Sequence, residues 1–140
     1  MFELNILAIT ISTTETLRLL EKDGIETGHI VNINSMAGHS VPAMNYGTNF
    51  YTGTKHMLKA LTTALSTELA AKKSKIRVTS LSPGLTDTPL IEGARKDSER
   101  GHFFKRAALQ GKDVADAVLY VLGTPSHVVI TELTIVPAVV

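Results

Sequence analysis

Apolar positions along the chain follow two spacings. Over residues 2–22, Leu4, Leu7, Ile11, Leu17 and Leu20 form a broken three-and-four stripe, and Gly24 follows as a stop signal. The spacing predicts a helix, although 6–11 is rich in isoleucine, which also suits a strand. Residues 29–34 (HIVNIN) come next, a short run nearly apolar on both faces, as in the middle of a parallel sheet. Residues 36–49, with Gly38, Pro42 and Gly47, read as a loop. Leu58, Leu61, Leu65 and Leu69, with alanines between them, predict a helix over 50–72. Residues 75–81 (KIRVTSL) predict a strand with Ile76, Val78 and Leu81 toward the core, ended sharply by Ser82-Pro83-Gly84. The polar stretch 85–110 reads as a mobile segment with one or two short helices, of the kind that often forms a lid. A helix over 113–122, with Ala115, Val118 and Leu122 inward, and a strand over 130–136 complete the pattern.

Strands alternating with long helices predict an α/β fold in which crossovers build a parallel sheet. Three strands make half of a doubly wound, Rossmann-type sheet, with helices on both faces. In such a half the strand at 29–34 is an edge with unpaired backbone groups, so marginal solubility or association is expected unless another chain covers it.

Composition narrows the classes further. A chain of 140 residues, 44% hydrophobic, can bury the core of one domain. The net charge of +1 gives no pull toward nucleic acid or an anionic membrane, and Lys72, Lys73 and Lys75 read as a solvated helix end. There is no cysteine, which excludes disulfides, thiolate metal sites and a cysteine nucleophile. The five histidines show no paired ligand spacing, so no metal site is expected. The first residues are apolar but lack a basic leader and make a poor signal peptide, and no run is long enough to span a membrane. The expected location is the cytoplasm.

The chemistry concentrates where the second helix begins. Tyr51 and Lys55 lie four residues apart, one helical turn, and project from one face. An ammonium beside a phenol favours the phenolate, and a tyrosine so placed can give or take a proton. Tyr46 serves as an internal control: four residues on stands Phe50, so only Tyr51 has the ammonium. Ser35 follows the strand at 29–34, at the edge where open α/β sheets bind ligands.

Asn5, Ser35, Tyr51, Lys55 and the Ser82-Pro83-Gly84 turn followed by Thr88 occur in the chain order of the short-chain dehydrogenases/reductases. The sequence resembles the C-terminal half of that family over essentially its whole length. The runs HIVNINSMAGH and FYTGTKHMLKALT are similar to the insect farnesol dehydrogenases and the vertebrate member-11 dehydrogenase/reductase group. The resemblance implies interconversion of a lipophilic alcohol and its carbonyl with NADP, or with NAD. It implies Tyr51 as general acid or base, Lys55 as the group that tunes it and holds the nicotinamide ribose, and Ser35 on the carbonyl oxygen. Asn5 would anchor a proton-passing water, and Pro83, Gly84, Thr86 and Thr88 would meet the nicotinamide end of the cofactor. Leu90, Ile91, Phe103 and Phe104 would form an apolar lid. It further implies a homodimer or homotetramer through the helices at 2–22 and 50–72.

Two departures accompany the resemblance. Ser35 and Tyr51 are 16 apart, a few more than is commonest in the family. The Gly-rich turn that binds pyrophosphate, the residue that selects NAD or NADP, and the Asn-Asn-Ala-Gly segment are not in these residues. Residues 1–140 therefore read as one partial nucleotide-binding domain. Two alternatives stand beside the enzyme: a truncated, non-catalytic interaction module, and a sugar-nucleotide epimerase, which shares Tyr-x-x-x-Lys but needs a larger C-terminal region.

Overall fold

A computed structural model describes residues 1–41, 49–89, 91 and 107–138. Its first helix opens with a π-helical turn, Glu3–Leu7, and continues as the α-helix α1, Ala8–Lys22. Gly24, at φ 68°, takes the left-handed position that ends it, and the Ile25 N–H reaches back to the Leu20 carbonyl. Strand β1, Thr27–Ile33, leads into a 3-10 turn, Met36–Gly38, and then to helix α2, Asn49–Ala71. Strand β2 is Lys75–Pro83, β3 is Thr86–Asp87, β4 is Leu109–Gln110, helix α3 is Gly111–Leu122 and β5 is Glu132–Ile135.

The main sheet is parallel throughout, in the order β1-β2-β5. Side-chain parity separates its faces. Gly28 lies against Leu20 of α1, and Asn32 donates to the Thr62 hydroxyl of α2, so α1 and α2 cover one face. Arg77, registered with His29 on the other face, donates to the carbonyls of Thr124, Pro125 and Val128 and to the Thr124 hydroxyl. That guanidinium ties β2 to the turn after α3, a structural role. Val78 and Leu81 are fully enclosed in the central strand, with Leu58 and Leu69 of α2 and Val121 of α3 completing the core. This is a three-stranded portion of a doubly wound sheet, as the alternation of patterns predicts.

Several expectations need correction. The α1 stripe holds only in its second half: Leu17 and Leu20 are half-buried as expected, but Leu4, Leu7 and Ile11 are exposed, and Ile6 is the buried residue. The π turn adds a residue to the helical repeat there, so a regular spacing does not mark the inward face. In α2, Leu61 is exposed, and Thr52, Thr54, Lys55 and Thr62 are buried instead. In α3, Ala115 and Leu122 point outward, while Val114, Ala117, Val118 and Val121 face inward. Strand β2 does not stop at Leu81 but runs through Pro83, where the absent N–H breaks no bond that the ladder needs. The stretch 85–110 is not one free segment at its ends. Thr86 and Asp87 pair in parallel with Leu109 and Gln110, which brings the two ends of the excursion together. Tyr46, Leu90, Phe103 and Phe104 lie outside the described residues.

Strand β1 is an edge of the sheet, as expected. Beside it, between α1 and β1, runs an open apolar groove of about 410 Å³ lined by Leu4, Ala8, Ile9 and Ile30 among others.

Candidate functional site

The site is built at the C-terminal ends of β1 and β2. Ile33 is registered with Leu81, and the Asn34 N–H continues the ladder onto the Leu81 carbonyl, so Ser35 arrives abreast of Pro83. Ser35 is extended (φ −167°), and its hydroxyl accepts from the Ala37 N–H at 3.1 Å, which caps the 3-10 turn. Glycine at position 38 lets that turn press against α2. A Cβ there would stand 2.8 Å from the Lys55 carbonyl oxygen and 2.8 Å from Asn34 Nδ2.

Lys55 is the centre of the arrangement. Its residue is 9% exposed, its ammonium donates to the Ile33 carbonyl at 3.1 Å, and Nζ lies 5.8 Å from the centroid of the Tyr51 ring. The lysine therefore joins α2 to the end of β1, two residues before Ser35. Burial disfavours the charged ammonium and lowers its pKa from the ordinary lysine value. Between that lowered value and the unfolded value near 10.5, the unfolded chain holds more protons, so stability rises with pH across the window. We expect Lys55→Met to be more stable than the parent by on the order of 1 kcal/mol at pH 7. The difference should close as pH approaches 10.5, measured as paired urea melts from pH 7 to 10.5.

Asn5 sits in the π turn, a helix irregularity often found at functional sites. Its Nδ2 donates to the Thr54 hydroxyl at 3.1 Å, and that hydroxyl donates to the Tyr51 carbonyl at 2.7 Å. Asn5 thus reaches the residue beside Lys55, with a direct bond to Thr54. Gly84 donates its N–H to Ile135, and the Thr86 hydroxyl donates back to the Gly84 carbonyl at 3.1 Å, which leaves that hydroxyl only its lone pairs to offer a ligand. Thr88 follows on the same edge, and its carbonyl accepts from Ile91.

The geometry brings Tyr51, Lys55 and the start of the Ser35 turn together, with Pro83 and Gly84 on the adjoining strand. Thr54, Gly38 and the Ile33 carbonyl are parts of the site that residue types alone did not mark. Gly38, three residues after Ser35 in the expected loop, was the one available signal. Among the described residues, no three His, Cys, Asp or Glu side chains group as metal ligands. No described helix is long and apolar enough to cross a membrane.

Comparison with known proteins agrees with this architecture. The chain is 39% identical over 140 residues to dehydrogenase/reductase SDR family member 11 of Homo sapiens, covering 98% of this chain and 54% of that protein. It is 38% identical over 133 residues to farnesol dehydrogenase of Aedes aegypti, covering 95% of this chain and 51% of that one. The chain thus spans about half the length of the curated relatives it matches. Among solved structures, serine dehydrogenase in its closed form with NADP+ superposes with a TM-score of 0.80 at 28% identity, over 96% of this chain and 53% of that one. The family model for short chain dehydrogenases matches residues 1–99, which hold the π turn, the Ser35 turn, the Tyr51–Lys55 helix and all of β2. The chain belongs to the short-chain dehydrogenase family.

Proposed function

We propose that this chain is the proton-transfer half of an NAD(P)-dependent oxidoreductase that interconverts a lipophilic alcohol and its aldehyde or ketone. The observation that carries the reading is the buried Lys55 ammonium, laid over the Tyr51 ring and anchored beside Ser35. For reduction, the Ser35 hydroxyl donates to the carbonyl oxygen and stabilises the charge that grows there. Tyr51 delivers the proton, and Lys55 electrostatically favours the phenolate left behind. A bound nicotinamide supplies the hydride, or accepts it in the oxidation. Lys55 keeps N–H groups beyond its bond to Ile33 and suits the ribose hydroxyls, while Pro83, Gly84, Thr86 and Thr88 suit the nicotinamide end. Asn5 would hold a water on the proton path to Lys55.

NADP is favoured, because two relatives above 25% identity were solved with it. NAD is the second choice, since no residue here selects between them. The lipophilic substrate rests on the farnesol dehydrogenase relative and on the apolar character of Leu90, Ile91, Phe103 and Phe104. The fit is to the nicotinamide end of the cofactor alone, since no Gly-rich phosphate-binding turn occurs in these residues. The expected partner of residues 1–140 is accordingly a Gly-rich half that completes the site.

A second reading has its own observation. Leu4 and Ile11 of the first helix and Phe50 of α2 are 72%, 61% and 61% exposed, which suits a dimerisation module without catalysis. Titrating NADPH and NADH into the purified chain, followed by nicotinamide fluorescence, separates the two. Losing phosphate contacts worth about 2.7 kcal/mol weakens binding by roughly a hundredfold. We expect no micromolar binding by the chain alone, and micromolar binding once it is joined to the N-terminal half of a full-length relative. Failure of the joined protein to bind favours the interaction module.

A further inference from the structure

His39 was notable in the sequence only for lacking a ligand partner, yet its imidazole meets side chains from three separate elements. Nε2 lies 2.9 Å from the Ser82 hydroxyl of β2 and 2.7 Å from Glu132 Oε1 of β5. Nδ1 lies 3.0 Å from Lys59 Nζ, one turn beyond Lys55 on α2, and Lys59 in turn lies 3.4 Å from the same Glu132 oxygen. An ammonium can only donate, so Nδ1 is the acceptor and the ring proton sits on Nε2, directed at the carboxylate and the Ser82 hydroxyl. The partners therefore fix one tautomer as well as one position.

The backbone of His39 closes the turn that Ser35 opens. Its N–H donates to the Met36 carbonyl, as the Gly38 N–H does to Ser35 and the Ala37 N–H to the Ser35 hydroxyl. Ser82, which anchors the ring, is fully enclosed and precedes Pro83 and Gly84. Glu132 and Lys59 are each about a third exposed, so the ion pairs add little to global stability. Their consequence is local: they hold one end of a three-residue turn whose other end is Ser35.

We propose that His39, held as the Nε2–H tautomer by Lys59, Glu132 and Ser82, is a positioning residue that fixes the turn presenting the Ser35 hydroxyl to the substrate oxygen. The role rests on the oxidoreductase reading, but its test does not. The Ala37 amide bonded to the Ser35 hydroxyl reports that side chain directly, and NMR of the purified 140-residue chain reads it. In His39→Ala the amides of residues 37, 38 and 39 should exchange at least roughly tenfold faster, with the Val78 and Leu81 amides unchanged. His39→Gln, which keeps an N–H for Glu132, should restore slow exchange. Lys59→Met leaves Nε2–H directed at Glu132 but removes the donor to Nδ1, so it should shift the Nδ1 resonance and move the Ala37 amide. Exchange accelerated by less than that, a glutamine as loose as alanine, or an Nδ1–H ring in the parent would overturn the proposal. If His39→Ala does not fold, Lys59→Met decides alone, and unmoved imidazole and Ala37 resonances sink it. Failure of the oxidoreductase reading shows instead as catalysis that survives loss of the Tyr51 hydroxyl, and leaves these resonances untouched.

Discussion

Tyr51→Phe should lower the rate of carbonyl reduction by about a thousandfold, within the range that a positioned general acid supplies. The measurement uses the 140 residues joined to the N-terminal half of a full-length relative, with NADPH oxidation followed at saturating aldehyde. Phenylalanine keeps the ring that lies beneath the Lys55 ammonium, 5.8 Å from its centroid, so packing and the lysine's anchorage to Ile33 persist. What disappears is one hydroxyl and its proton. Cofactor affinity should therefore stay within a few-fold while kcat collapses, the signature of an interaction made in the transition state. A variant that keeps more than a tenth of the parent kcat would remove Tyr51 as the acid, and the proposed function with it. Lys55→Met gives the complementary pattern: a more stable chain that holds cofactor less well, as expected where a buried charge is kept for function at a cost in stability.

The contrast between these residues shows what a sequence can carry. Tyr51 and Lys55 were legible because a helix converts a spacing of four into a shared face, and the apolar run at 29–34 was legible because parallel strands are buried on both sides. The parallel sheet followed from alternation alone, and the structure orders its strands β1-β2-β5. The inward face of α1 was legible at Leu17 and Leu20 but not in the first turns, where the π turn shifts the phase of the helix and has no side-chain signature. The inward face of α2 was legible at Leu58, Leu65 and Leu69 but not at Thr54 and Thr62, whose hydroxyls bind Asn5 and Asn32. A buried threonine that bonds backward to its own helix and forward to a neighbour satisfies both groups, and hydropathy counts it as neutral. His39 was missed for a related reason. Its partners at positions 59, 82 and 132 are distant in the chain and converge only after the sheet forms.

The closest approach in the site gives the other large effect. Gly38→Ala should destabilise the chain by about 1–3 kcal/mol, the cost of forcing atoms into a filled space. The added Cβ would lie 2.8 Å from the Lys55 carbonyl oxygen, and 2.8 and 2.9 Å from the two ends of the Asn34 amide. The amide could rotate, but Asn34 is buried and neither end of its amide has a hydrogen-bond partner, so rotation has no bond to gain on the way. The Lys55 carbonyl cannot move without moving α2. Relief must come from the turn, which carries Ser35 away from Tyr51 and Lys55. Gly53→Ala is the control: nothing lies within 4 Å of its added Cβ, and it is inside α2. That substitution should stabilise by about 0.5–1 kcal/mol through the helix-propensity gain alone. Urea melts of the two variants should therefore move in opposite directions. If Gly38→Ala melts with the parent, the turn does not press on α2, and the close packing that sets Ser35 beside Lys55 is lost from the account.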